Sequence, residues 1–127
     1  MDPTEFLDGG TVSVSDETYA VCRTDRDHSA AFATIREAGE TTVVVEEDEV
    51  DAVDADAVEP GWKRLTFEME LPFELVGFLA AVATALAEVE VSVFVLSSYA
   101  TDHVLIKETD RPAAVRRLEE LGCEVVD

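Results

Sequence analysis

The amino-acid sequence predicts an α+β fold, and three of its features support this class. Residues 63–71 alternate apolar and polar side chains, which is the pattern of a strand with one buried face. From Leu75 to Val89 the apolar residues recur at helical spacing. Segments rich in β-branched residues, such as 41–46, indicate further strands. The chain has 127 residues, which is long enough to bury a core without disulfide bonds.

The first half of the chain, residues 1–60, predicts a β-rich region that ends in an acidic linker. Three segments have the composition of short strands: 11–14, 18–23 and 41–46. Residues 30–36 fit a short helix or a strand, and we favour a strand that forms a hairpin with the last of these segments. Residues 47–59 predict a linker with a helical turn. Asp54 and Asp56 match half of an EF-hand loop, but its glycine and distal glutamate are missing, so we favour a solvated linker over a calcium site.

The second half, residues 61–127, has the clearer pattern. Pro72 ends the strand at 63–71, because proline cannot donate to a ladder of hydrogen bonds. After the helix, residues 91–98 are apolar on both faces and predict a central strand. Residues 102–108 predict the strand that completes a hairpin with it.

A second helix is predicted after this hairpin. Thr109 or Asp110 can cap it, Pro112 suits its first turn, and Gly122 suits the left-handed position that follows a helix. Residues 123–126 predict a last strand. The resulting order, βαββαβ, is that of a ferredoxin-like unit, an antiparallel sheet with two helices on one face.

The charge of the chain excludes some partners and suggests a solvent. Nine Lys and Arg residues stand against 29 Asp and Glu residues, which gives a formal net charge of −20. A surface of this sign repels nucleic acids and anionic membranes. We interpret the excess of acid as adaptation to a high-salt cytoplasm, with an acidic surface that serves a basic partner as the alternative.

The same composition predicts a cytoplasmic protein. Cys22 and Cys123 lie far apart, which favours two small buried hydrophobes in a reduced compartment over a disulfide or metal site. The N-terminus lacks the pattern of a signal peptide, and the longest apolar run, residues 75–87, is too short to span a membrane.

Two segments of the second half predict a small-molecule site. The turn 72–77 leads into the N-terminus of a helix, whose unpaired N–H groups and partial positive charge suit a ligand carboxylate. Gly77 is expected in the first turn, where it lets a ligand approach the backbone, although it equally suits close packing of the helix. Asp102 at a hairpin can receive an ammonium or guanidinium group, although aspartate often caps its own turn. Ser97, Ser98 and Thr101 add hydroxyls.

No combination of residues in the sequence predicts catalysis. His28 and His103 are the bases available near neutral pH, and we expect His28 to be a solvated loop residue. His103 is expected to pair with Asp102 or to line the site. Nucleophile elbows, phosphate-binding loops and metal-ligand pairs are missing from the sequence. We therefore expect a protein that is not an enzyme and needs no cofactor.

The second half also resembles a known family. The order βαββαβ, the pair Gly61-Trp62 and the segment PFELVGFLAAVATALAEVEVSVFVLSSYATDHVLIKE resemble ACT domains, above all the small proteins with tandem ACT units. These are similar to the regulatory region of aspartate kinases and to cytosolic arginine sensors. The resemblance extends more weakly to residues 1–60, through residues 19–23, 32–35 and 43–46. It implies that residues 1–60 form a degenerate ACT-like unit and that residues 61–127 form an ACT-like domain.

This resemblance implies a regulatory protein that forms a homodimer and binds a free amino acid near a domain or subunit interface. The family's hairpin pattern, Ser-Thr-Tyr-x-Thr-Asp-Tyr, appears here with Ser98 in place of threonine and His103 in place of tyrosine. The residues it implies for ligand binding are Phe73, Glu74, Leu75, Val76, Gly77, Ser97, Ser98, Thr101 and Asp102.

Two hypotheses about the ligand stay open. Glu74 would repel a nearby carboxylate, so it either points to solvent or favours a ligand with a cationic side chain, such as lysine or arginine. A ligand-free module that only assembles, or that contacts a regulated enzyme or regulator, is the alternative to an amino-acid sensor. In that case the hydroxyls and Asp102 would be satisfied internally.

Overall fold

A computed structural model describes residues 2–69, 71 and 75–127 of the chain. In these residues it has eight strands and two α-helices, which confirms the α+β class. Their bounds in chain order are β1 Thr11–Val14, β2 Tyr19–Thr24, β3 Ala33–Glu37, β4 Glu40–Glu46, β5 Ala55–Phe67, α1 Phe78–Glu88, β6 Phe94–Ser97, β7 Asp102–Lys107, α2 Arg111–Glu120 and β8 Glu124–Val126. From β5 onward this is the predicted βαββαβ order.

The chain divides into two compact units, which are here called the helical unit and the strand unit. The helical unit consists of residues 1–16 and 63–127, and the strand unit of residues 17–62. The division predicted at residues 60 and 61 differs from these units in residues 61 and 62 and in the first sixteen residues. Their pattern predicts the strand β1 but carries no information about which strands it pairs with.

The sheet of the helical unit has β1 between the first and last strands of the βαββαβ order. Val12 of β1 pairs with Phe67 of β5 in an antiparallel ladder and with Val125 of β8 in a parallel one. On the other side of β5 the neighbour is β7, which pairs in turn with β6. The N-terminal segment therefore completes this sheet.

Strand β6 is shorter than predicted and is not central. The prediction placed a central strand at 91–98, whereas β6 covers four residues and, in the part of the chain that the structure describes, pairs with β7 alone. Its apolar character on both faces has a different cause. Val95 packs against the core of the helical unit, while Phe94 and Leu96 are half-buried and alternate with it.

The core of the helical unit lies between the sheet and the two helices. Its fully buried large side chains come from the N-terminal segment, from one face of the strands and from both helices: Leu7, Val12, Leu65, Phe67, Val82, Leu86, Val104, Ile106 and Leu118. Full burial of such a side chain contributes roughly 1.5–3 kcal/mol. Gly122 follows α2 with a φ of +97°, as its predicted left-handed position requires.

The strand unit contains β2, β3, β4 and the first part of β5. The predicted hairpin is present, because β3 pairs antiparallel with β4 and places Ala33 opposite Val44. A small core of Ala20, Cys22, Val43, Val45 and Val53 lies on one face.

No helix within the described residues has the length and apolar character of a membrane-spanning segment.

The predicted linker at 47–59 is only partly correct. Its helical turn is present as the 3-10 helix Glu47–Ala52, but β5 begins at Ala55 and pairs with β2, with Cys22 opposite Val58. Residues 56–60 are exposed, so this part of β5 is stabilised by backbone hydrogen bonds to β2. Its side chains therefore show no alternation of buried and exposed residues.

Candidate functional site

The two segments predicted to form a site lie side by side in the helical unit. They enclose a cavity of about 370 Å³, which is lined by residues 77–80 and 97–102 together with Leu71 and Leu75. Helix α1 supplies its N-terminus to one side, and the hairpin between β6 and β7 supplies the other. Small-molecule sites are concave spaces of this kind, and this volume is near the lower end of their usual range of about 300–1,000 Å³.

The structure brings together six of the nine predicted site residues. Leu75, Gly77, Ser97, Ser98, Thr101 and Asp102 all line the cavity. Val76 is 81% exposed and is not among the lining residues. Phe73 and Glu74 lie outside the described residues.

Helix α1 begins at Phe78, so Gly77 is its N-cap and does not lie in the first turn as predicted. Gly77 has a φ of +89°, a conformation that other residues adopt only with strain. The first hydrogen bond of the helix runs from the N–H of Ala81 to the carbonyl of Gly77, at 2.9 Å. The N–H groups of Phe78, Leu79 and Ala80 precede that bond, and no side chain of the described residues caps the helix. This side of the cavity therefore offers hydrogen-bond donors and the positive end of the helix dipole.

The serine and threonine hydroxyls of the hairpin present acceptors to the cavity, because their hydrogens are used within the chain. Ser97 Oγ donates to Asp102 Oδ1 at 2.6 Å, and Ser98 Oγ donates to the carbonyl of Thr101 at 3.0 Å. Thr101 Oγ1 donates to the carbonyl of Phe67 at 2.9 Å. A hydroxyl that has donated keeps lone pairs as acceptors, and the carboxylate of Asp102 has a second oxygen. This side of the cavity therefore suits a positively charged donor.

The apolar part of the lining continues the core of the helical unit. Leu71, Leu75 and Leu79 are half-buried and pack against that core. Phe78 is buried and meets Phe67 edge to face, with ring centroids 5.3 Å apart. Edge-to-face contacts of this kind hold aromatic rings in fixed positions. Leu75 is one of the predicted site residues, whereas Leu71 and Leu79 were assigned only to the strand and helix patterns.

Tyr99 stands at the tip of the hairpin and is 85% exposed. With Ala100 it lines the cavity, although neither was predicted as a site residue. The hairpin pattern that carries the family resemblance includes this tyrosine, and that is the signal that could have identified it.

His103 is not among the lining residues, although it follows Asp102 directly. Its Nδ1 lies 3.2 Å from Thr66 Oγ1, which itself accepts a hydrogen bond from Arg64. The hydroxyl hydrogen of Thr66 is thus available to Nδ1, an arrangement that matches a neutral ring. Burial and the charge of Arg64 lower the pKa of His103, and Asp102 and Glu68 oppose this shift. The departure from the family pattern at position 103 therefore does not alter the lining of the cavity.

The side chains that bind metals in proteins are dispersed in the described residues, and the two cysteine thiols are buried. Among the described residues, no three His, Cys, Asp or Glu side chains lie close enough to hold a metal ion. Cys22 and Cys123 are free and buried, as predicted, and burial raises the pKa of both thiols. A thiol with a raised pKa is a poor nucleophile at neutral pH.

Comparisons with known proteins agree with this architecture. The profile of the ACT domain family matches residues 57–120. No curated protein sequence matches the chain. Among solved structures, it is similar to a protein from Agrobacterium tumefaciens, with 20% identity, a TM-score of 0.80 and 94% of each chain covered.

Two further solved structures are similar to this chain. One is a Vibrio cholerae protein of unknown function, described as a possible transport protein, with 25% identity, a TM-score of 0.74 and 94% of each chain covered. The other is the ligand-free regulatory subunit of aspartate kinase from Thermus thermophilus. It has 12% identity and a TM-score of 0.68, with 88% of this chain and 95% of that chain covered.

Proposed function

Because this chain belongs to the ACT domain family, as the match to residues 57–120 establishes, we propose that it is a non-catalytic regulatory module that binds a free amino acid. The proposed site is the cavity between the N-terminus of α1 and the hairpin 97–102. Phe73 and Glu74, which the family resemblance implies as further ligand contacts, belong to the proposal as well.

The observation that carries this proposal is the opposite polarity of the two sides of the cavity. The N–H groups at the start of α1 can donate to a carboxylate. Asp102 and the lone pairs of the serine and threonine hydroxyls can accept from an ammonium group. Hydrogen bonds to charged groups contribute about 1.5–3 kcal/mol each, roughly twice the contribution of neutral ones. A zwitterion therefore satisfies both sides at once.

We propose that the bound amino acid acts by stabilising one arrangement of two chains. A ligand shifts a conformational or assembly equilibrium only if it has different affinities for the two states. A homodimer in which the cavity lies near the interface meets this requirement. The likeness in fold to a regulatory subunit of aspartate kinase supports a regulated enzyme or regulator as the partner that receives the signal.

A ligand-free assembly module is the second candidate, and one observation favours it. The hydroxyl hydrogens of Ser97, Ser98 and Thr101 are all bonded within the chain, so these groups need no guest. The concave space between the leucines and the hairpin favours the sensor instead, because small-molecule sites are concave and largely apolar.

Thermal unfolding in molar salt, measured with each of the twenty amino acids in turn, tests the proposal. A ligand at about one hundred times its dissociation constant stabilises the folded chain by about 2.7 kcal/mol. We expect at least one amino acid to raise the melting temperature of the wild type, and we expect Asp102→Ala to abolish that rise. A folded protein whose melting temperature responds to none of the twenty would favour the assembly module.

A further inference from the structure

We infer that the amino acid bound in this cavity has an uncharged aliphatic side chain, an inference that rests on the proposed function and specifies its ligand. Three features of the described lining residues support it: the apolar wall, the number of charges and the direction of the hydroxyl hydrogens.

The apolar wall of the cavity consists of side chains that are only partly covered by the core. Leu71, Leu75 and Leu79 each pack against the core of the helical unit on one side, and each is also part of the cavity lining. Phe78 also lines the cavity, is 4% exposed, and is held in position by its edge-to-face contact with Phe67. An aliphatic side chain placed against these leucines removes their remaining apolar surface from water, which is the main source of affinity in small pockets.

The charge of the described lining matches one ammonium group. Asp102 is the single carboxylate among the described residues that line the cavity. If it binds the α-ammonium group, a side-chain cation of lysine or arginine that lies against the leucine wall receives no counter-charge from the described lining, and burying an unpaired charge is costly. An acidic side chain is disfavoured by Asp102 itself and by the net charge of −20.

The hydroxyls do not select a polar side chain. Ser97, Ser98 and Thr101 all direct their hydrogens to acceptors of the chain, so none of them donates to a ligand. A ligand carbonyl or carboxamide oxygen would lose its hydrogen bond to water and gain none from these three hydroxyls. A cationic ligand, which Glu74 suggested, is the outcome that would contradict this inference.

A pair of ligands that differ by one charge tests this inference on the wild-type chain. Norleucine and lysine share a four-carbon side chain, and lysine adds an ammonium group at its end. We expect calorimetric titration in molar salt to give leucine and norleucine dissociation constants at least tenfold lower than that of lysine. Lysine binding as tightly as norleucine would overturn the aliphatic specificity and leave the proposed function intact. If none of the twenty amino acids binds, the proposed function itself is wrong.

A pair of truncated leucines locates the side-chain contact. Leu79 lines the cavity, whereas Leu121 is half-buried against the same core and does not line it. We expect Leu79→Ala to weaken leucine binding by about tenfold or more, since one methylene in an apolar pocket changes affinity by about 10–200-fold. We expect Leu121→Ala to leave it unchanged within about twofold. Equal effects of the two variants would overturn the contact, and the norleucine comparison remains decisive if Leu79→Ala does not fold.

Discussion

The substitution Asp102→Asn removes the negative charge of the proposed ammonium site and little else. Asparagine keeps a side-chain oxygen that can accept the hydrogen bond of Ser97, which now reaches Asp102 at 2.6 Å. The charge-assisted bond to the ligand, about 1.5–3 kcal/mol, is lost. At about 1.36 kcal/mol per factor of ten, the dissociation constant should rise by roughly 10–150-fold.

This loss is large enough to appear as a thermal shift. At a leucine concentration of about one hundred times the wild-type dissociation constant, the stabilisation is about 2.7 kcal/mol. A tenfold weaker variant retains about 1.4 kcal/mol under the same conditions, and a hundredfold weaker one about 0.4 kcal/mol. Without ligand, the free energy of unfolding should change by less than about 0.5 kcal/mol. Asparagine can keep the hydrogen bond from Ser97, and surface substitutions that break no such contact usually change stability by no more than this.

Glu68 offers a matched control for this variant. It is an exposed carboxylate of the same unit and accepts a hydrogen bond from Ser13 Oγ at 2.7 Å, but it does not line the cavity. We expect Glu68→Gln to bind leucine as the wild type does. If the two variants lose affinity equally, the effect of Asp102 is one of overall charge, and the reasoning about a specific ammonium site is refuted.

Two further predictions concern the fold. Gly122→Ala should lower the free energy of unfolding by about 2–5 kcal/mol, because its φ of +97° is strained for alanine and a Cβ would lie 3.0 Å from the backbone Cα of Asp8, besides displacing the Asp8 carboxylate. Gly39→Ala, at a φ of +82° with no heavy atom within 4 Å of its Cβ, should lose only about 1–2 kcal/mol, and equal losses by denaturant titration would contradict the clash. The folded chain lowers the pKa of His103 below its ordinary 6.5, so the unfolded chain binds more protons below about that pH and the wild type loses stability there as pH falls. His103→Gln should remove this component, and parallel stability profiles of the two proteins between pH 7.5 and 5.5 would count against it.

Elements with a strong side-chain pattern could be predicted from the sequence. The β-branched run of β4 and the proline and glycine that bound α2 gave elements within a few residues of those observed, whereas the strand predicted at 63–71 overlaps β5, Ala55–Phe67, only at residues 63–67. Each of these signals is local, because it depends on which side chains of one segment are buried. The family resemblance assigned on the same residues is confirmed by the match to residues 57–120.

Features that depend on pairing between distant segments could not be predicted. The start of β5 is held by backbone pairing with β2, and its exposed side chains give no alternation. The position of β1 between β5 and β8 is likewise set by partners more than fifty residues away in the sequence. The side-chain pattern of a segment predicts that it is a strand but does not predict which strands it pairs with.

The candidate site likewise has features that could be predicted from the sequence and features that could not. The sequence placed Gly77 and Asp102 in one site, because helix N-termini and hairpin carboxylates have recognisable chemistry. The directions of the hydroxyl hydrogens, and the part that Leu71 and Leu79 play in the lining, follow only from the packed structure. The leucine lining is the observation that favours an aliphatic ligand over a cationic one.

Nuclear magnetic resonance of the ¹⁵N-labelled chain tests the central claim most directly. Amide signals would be followed in molar salt during titration with an equimolar mixture of the twenty amino acids, so that the result does not depend on the side-chain class. We expect saturable shifts at residues 77–80 and 97–102 and none in the strand unit, residues 17–62. Unchanged amide signals throughout, or shifts confined to the strand unit, would contradict this claim.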